Sequence, residues 1–135
     1  MGEVKKVYLS WDDVNELLDS IHSQVKNRVQ YVTGIPRGGT ILAILYSHRF
    51  DTEYMNHISP HYPDLLVLDD IADSGVTLKE ALDKFPEPIY ATLHYKEGSI
   101  VKPEVFGKHI GKDFGWIVYP WERKDSKTIQ NYLDN

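Results

Sequence analysis

The stretch LLVLDDIADSGVTLKEAL, residues 65–82, runs four apolar residues straight into paired acids, adds a third acid, and then turns into a helical pattern. Leu65–Leu68 show no polar alternation, which marks a strand buried on both faces. Adjacent carboxylates at Asp69 and Asp70 repel each other, so they need water, a metal or a hydroxyl-rich ligand to face. The turn that follows, Asp73-Ser74-Gly75-Val76-Thr77, carries the opposite chemistry. Gly75 permits a backbone turn that a side chain resists, and a helix starting near Thr77 aims its free N–H groups back into the loop. Amides and hydroxyls of that kind cradle a phosphate. A sugar phosphate reconciles the two halves: the amides hold the phosphate, while Asp69 and Asp70 accept from ribose hydroxyls or organise a Mg²⁺ shell. An isolated Asp-Ser-Gly would mean only a capped strand-to-helix turn. The double Asp before it tells against that.

Outward from this stretch the strand–loop–helix rhythm recurs. Ser10 suits a helix cap, with Asp12 and Asp13 in the first turn and Val14, Leu17, Leu18, Ile21 and Val25 on one apolar face. Val29–Thr33 reads as a strand ended by Gly34, residues 35–39 as a turn, and residues 40–48 as a buried helix. Residues 51–58 read as a strand and 59–64, with two prolines, as a loop. A strand is expected after Pro88, a short one broken by Pro120 follows, and a small helix is expected over 126–135. The pattern predicts an α/β fold with a mainly parallel sheet flanked by helices. Ligands of such sheets bind beyond the carboxyl ends of the strands. The loops Gly34–Gly39 and Asp69–Thr77 belong there. In the first of these, TGIPRGGTILA (residues 33–43), Pro36 sets the turn, Arg37 offers a planar cation, and Gly38 and Gly39 let amides approach an anion. The same residues also make a plain turn.

Composition bounds the rest. The chain has 135 residues, 41% hydrophobic and 26% charged, with a net charge of −5 and no cysteine. This predicts a single domain over residues 1–135 and tells against broad binding to nucleic acid or to an anionic membrane. Thiolate metal sites and disulfides are excluded. No signal-peptide core or membrane-length apolar run is present, so a cytoplasmic protein is expected. Asp-Ser-Gly is also found in aspartic proteases, but their all-β flanks are missing here. A haloacid-type phosphatase wants Asp where Ile71 stands, and no Walker loop exists. His57 and His61 would pair on a metal only on a helix, and Pro60 between them argues against one, so exposed loop histidines are expected.

Together the two loops resemble the type I phosphoribosyltransferase family. Its signature is an apolar strand, two acids, two further residues, then an acid, a small hydroxyl residue, Gly and Thr before a helix. The match departs at Val76, where a second Gly is usual. The resemblance implies binding of phosphoribosyl pyrophosphate (PRPP) with Mg²⁺. Asp69 and Asp70 would face the ribose and metal, Asp73, Ser74, Gly75, Val76 and Thr77 would wrap the 5′-phosphate, and Arg37, Gly38 and Gly39 would take the pyrophosphate, often with unusual peptide geometry. ATLHYKEGS (residues 91–99) and DFGWIVYPWE (residues 113–122) are similar to the small xanthine–guanine members, which end in a short C-terminal hood. There Lys96 would meet a purine 6-oxo group, Trp116 would stack on the base, and Ile117 would offer backbone groups to its edge. Asp73 is the candidate general base, with helix capping as its rival role. Trp116, Tyr119 and Trp121 can equally be an aromatic core edge. The family carries a long loop that closes over the site. Here the corresponding stretch, residues 48–64, is reduced, with Ser59 and Tyr62 as its only polar candidates. The resemblance implies a 6-oxopurine phosphoribosyltransferase and a homo-oligomer, dimer or tetramer. A PRPP-binding regulator with little turnover, or an enzyme for another base, is the alternative.

Overall fold

The computed structural model describes residues 5–123, so the helix expected over 126–135 lies outside the described residues. A short strand, β1 (Lys6–Tyr8), leads into α1 (Trp11–Val25). Ser10 caps α1 reciprocally. Its side chain accepts from the Asp13 N–H at 3.0 Å, and the Asp13 carboxylate accepts from the Ser10 N–H at 2.9 Å. Two amides that the helix leaves orphaned are thereby satisfied. Val14, Leu18, Ile21 and Val25 are fully buried, as their spacing predicts.

The chain continues through β2 (Tyr31–Gly34), α2 (Gly38–Phe50), β3 (Glu53–Tyr54), β4 (Leu65–Ala72), α3 (Val76–Lys84), β5 (Ile89–Lys96), β6 (Val105–Ile110) and β7 (Trp116–Val118). Five strands form one parallel sheet in the order β3-β2-β4-β5-β6, and β1 pairs with β7 in a separate parallel ribbon. Leu66, Leu68, Ala91 and Leu93 pack toward α1 and α2, whereas Leu65, Val67 and Tyr90 pack toward Leu78 of α3. The central strands are thus apolar on both sides, which is why LLVL carries no alternation.

Several boundaries move. Gly38 and Gly39, expected in a turn, begin α2 itself. The strand expected over 51–58 keeps only Glu53 and Tyr54, paired with Tyr31 and Val32. β6 escaped notice because Gly107, Lys108 and His109 interrupt its apolar pattern on an exposed edge. β4 runs through both acids, and its alternation changes phase there. Ile71 joins the side of Leu66 and Leu68, and Ala72 joins that of Leu65 and Val67. The β4–β5 ladder steps from Asp69 opposite Thr92 to Ile71 opposite His94, passing over Asp70, and the β5–β6 ladder likewise passes over Leu93 and Gly107. Among the described residues no helix is long and apolar enough to cross a membrane.

Candidate active site

A cavity of about 910 Å³ lies beyond the carboxyl ends of β2, β4 and β5, and it gathers both loops and the tail. Of the residues that the resemblance assigns to PRPP, metal or base, all but Gly39 and Val76 line it. Gly39 is buried beneath the first loop, and Val76 turns to the surface with 37% of its area exposed.

The first loop is pressed onto the acidic strand. Ile35 N–H donates to the Leu68 carbonyl at 2.9 Å, and Gly39 N–H donates to the Ile35 carbonyl at 2.9 Å. A Cβ on Gly39 would stand 2.2 Å from the Leu68 carbonyl oxygen, and one on Gly38 would stand 2.5 Å from Asp70 Oδ2. Closeness to backbone therefore requires Gly39, whereas a side chain at Gly38 would push the Asp70 carboxylate aside. Arg37 precedes α2, no side chain caps that helix, and the Pro36–Arg37 peptide is cis. Unusual peptide geometry was the expectation at this loop.

The paired acids are tied to their own backbone. Asp70 N–H donates to Asp69 Oδ1 at 2.9 Å, and Ile71 N–H donates to Asp70 Oδ1 at 2.7 Å. Burial, and then the charge of Asp70, hold the Asp69 carboxyl well above the usual carboxylate range; burial also raises Asp70. Each acid keeps its other oxygen free of these bonds. Hard carboxylate oxygens in need of a counter-charge fit Mg²⁺. Among the described residues no group of three or more His, Cys, Asp or Glu could hold a metal. A magnesium ion here would thus take at most these two acids and complete its shell from ligand oxygens and water.

The second loop turns at Gly75, whose φ of 85° lies in the left-handed region that favours glycine. The cap residue Gly75 has no side chain to bond the start of α3, which leaves the amides after Val76 open to a ligand. Val76 N–H meets Ser74 Oγ at 3.3 Å, so Asp73 does not cap this helix. Residues 99–101 brace the loop: Ile100 N–H donates to the Ser74 carbonyl at 2.8 Å, and a Cβ on Gly75 would collide with Ser99 Oγ at 2.4 Å. The sequence reading missed this brace, because nothing local joins Ile100 to Ser74, 26 positions away.

Lys96 Nζ stands 3.4 Å from Asp73 Oδ1, with the two side chains 19% and 28% exposed. The sheet register brings them together, since Ala72 lies opposite Tyr95 and each residue of the pair is one step further on. Beside them Trp116 and Ile117 line the cavity, held in place as Trp116 N–H donates to the Lys5 carbonyl at 2.7 Å. Tyr119 is a buried core aromatic, and Trp121 stacks on it with centroids 5.0 Å apart and rings 5° from parallel. The core-edge alternative thus describes Tyr119, while Trp116 faces the ligand space. Glu122 and Arg123 line the same cavity and were not singled out from the sequence. Burial raises the Glu122 carboxyl, the charge of Asp70 adds to that, and Arg37 opposes it.

The reduced loop stays away. β3 ends level with Leu66, roughly 10 Å of strand below Asp69. Neither Ser59 nor Tyr62 lines the cavity; Tyr62 packs edge-on against Tyr31, and Met55 and Ile58 cover the sheet. His57 is exposed, and His61 sits 3.9 Å from Glu87.

No family model matches the chain. A curated relative, xanthine-guanine phosphoribosyltransferase of Cereibacter sphaeroides, is 24% identical over 87% of this chain and 87% of its own. Among solved structures, a purine phosphoribosyltransferase from Pyrococcus horikoshii is similar with a TM-score of 0.73 and 23% identity, over 93% of this chain and 99% of that one. The Helicobacter pylori xanthine-guanine-hypoxanthine phosphoribosyltransferase gives a TM-score of 0.65 and 25% identity, over 87% of this chain and 94% of that one. The fold is that of the type I phosphoribosyltransferases, and the resemblance seen in the sequence holds.

Proposed function

We propose that this chain, built on the type I phosphoribosyltransferase fold, transfers phosphoribose from PRPP to N9 of a 6-oxopurine. One observation carries the reading: a lysine ammonium and a carboxylate 3.4 Å apart at the rim of a cavity floored by paired acids. A 6-oxopurine presents an acceptor, O6, beside the N7 edge. Lys96 donates to O6, and Asp73 accepts a ring proton near N7. Adenine carries an amino donor in place of O6, which Lys96 opposes. Trp116 stacks on the base, and Ile117 supplies backbone groups to its edge.

In the transfer the N9–C1′ bond forms as the C1′–oxygen bond to pyrophosphate breaks, and the ring proton passes to Asp73. Arg37 and the amides of Gly38 and Gly39 receive the departing pyrophosphate. Ser74, Gly75, Val76 and Thr77 hold the 5′-phosphate, and Asp69 and Asp70 orient the ribose hydroxyls. Mg²⁺ held at Asp69 and Asp70 would neutralise charge on the pyrophosphate. The family resemblance extends the proposal to a dimer or tetramer, which sedimentation would read.

The test is to supply PRPP and Mg²⁺ with guanine, xanthine, hypoxanthine or adenine, each alone, and to quantify nucleotide and pyrophosphate. Product from the oxopurines and little from adenine supports the proposal; equal rates with all four overturn the role of Lys96. A second reading, a PRPP-binding regulator, draws on the position of residues 55–64, which leave the sheet well below the acids. Tight PRPP binding without product from any base would favour it.

A further inference from the structure

Tyr119 is 2% exposed, yet its hydroxyl meets two polar groups: His94 Nδ1 at 2.9 Å and the Asp70 carbonyl at 3.2 Å. A hydroxyl donates once. His94, held neutral down to about pH 4 by burial and then by the charge of Lys108, keeps a single ring N–H. One directed chain satisfies all three groups: His94 Nδ1–H donates to Tyr119, and Tyr119 O–H donates to the Asp70 carbonyl.

Two peptides meet at Asp70 and set the acid pair. The Asp70 carbonyl shares its peptide with Ile71 N–H, which donates to Asp70 Oδ1, whereas Asp70 N–H, in the preceding peptide, donates to Asp69 Oδ1; the carboxylate of Asp70 stands against Gly38. The β4–β5 ladder passes over this residue, so regular pairing does not fix it as it fixes Asp69 and Ile71. We infer that Tyr119 is a positioning residue for the PRPP site: its hydroxyl, oriented by His94, pins the Asp70–Ile71 peptide, whose N–H holds Asp70 Oδ1, and thereby aims the Asp70 carboxylate at the ribose. The rest of the hood holds Tyr119 in turn. Trp121 stacks on its ring, Trp11 of α1 packs against Trp121 at 6.0 Å, and Tyr119 N–H donates to Glu122 Oε1 at 2.8 Å.

The inference rests on the phosphoribosyltransferase reading, and the experiment separates the two. Tyr119→Phe keeps the ring and its stacking but removes the hydroxyl. Binding of Mg²⁺–PRPP is measured directly by equilibrium dialysis on wild type and variant, and KM for PRPP and for hypoxanthine are measured beside it. The expected result is PRPP affinity weakened roughly five- to tenfold, the loss of one hydrogen bond, with KM for the base within twofold of wild type. His94→Leu should weaken PRPP less than Tyr119→Phe does, and His94→Asn, which keeps an N–H donor, less again. The order of the two His94 variants against wild type can be read even if Tyr119→Phe folds poorly. Equal PRPP affinity in wild type and variants overturns the inference alone, as does an equal loss toward base and PRPP. A wild type that binds no PRPP overturns the functional reading and this inference with it.

Discussion

Replacing Lys96 with Ala tests the base site most directly. At 3.4 Å, and at an effective dielectric of about 20, its attraction to Asp73 is on the order of 5 kcal/mol before desolvation and screening take back most of it. What transfer loses is a charge-assisted hydrogen bond to O6, about 1.5–3 kcal/mol net, or roughly 10- to 150-fold in kcat/KM. Adenine, which has no O6, gains or stays level, so the oxopurine-to-adenine ratio collapses. KM for PRPP should hold within about twofold, because the proposed PRPP contacts lie in the two loops. Lys96→Met separates charge from packing, since it keeps most of the stem that fills the cavity wall. The assay is initial-rate kinetics with each base at saturating PRPP, followed by the same series at varied PRPP. A uniform fall for guanine, hypoxanthine and adenine would refute the reasoning, as would a Lys96→Met variant as selective as wild type.

Asp69→Asn should abolish the rise in melting temperature that Mg²⁺–PRPP gives the wild type. The raised carboxyl favours the fold only while protonated, and that contribution is lost as pH rises through its folded pKa. Without ligand the Asn variant should therefore be more stable than wild type at neutral pH, the gap closing toward pH 4; denaturant titrations across that range would check the sign. His94, lowered from 6.5 to about 4, has the opposite slope. Its contribution is complete above pH 6.5 and is lost as pH falls toward 4, on the order of 3 kcal/mol, and His94→Leu should flatten that part of the stability profile. Gly39→Ala, whose Cβ would meet the Leu68 carbonyl at 2.2 Å, should cost about 2–3 kcal/mol by chemical denaturation. It should also weaken pyrophosphate binding, measured by calorimetry, as the first loop lifts from the acids.

The residues from Leu65 to Leu82 were legible because their physics is local. A strand buried on both faces, a pair of like charges, a left-handed glycine and open helix amides all follow from neighbours within a few positions. The Ser10 cap and the apolar face of α1 were legible for the same reason, through neighbours and three- and four-residue spacing. Local pattern failed where an element depends on a distant partner. β1 exists because β7 pairs with it, and β6 is a strand despite Gly107 and two exposed polar residues because β5 offers it a ladder. The loop over 55–64 could be seen as short, but its level on the sheet came only from the register of β3 with β2. Lys96 and Asp73 were each named from the chain, while their meeting is a product of parallel pairing one step beyond Ala72 and Tyr95. The line from His94 through Tyr119 to the Asp70 carbonyl, and the brace of Ile100 on Ser74, join residues 25 to 49 positions apart with no periodicity to announce them. The sequence by itself determined which chemical groups line the two loops, since those groups are contiguous. Tertiary structure alone decided which of them stand within hydrogen-bonding reach of the tail, because that distance is set by strand register and chain path rather than by any residue's own preference.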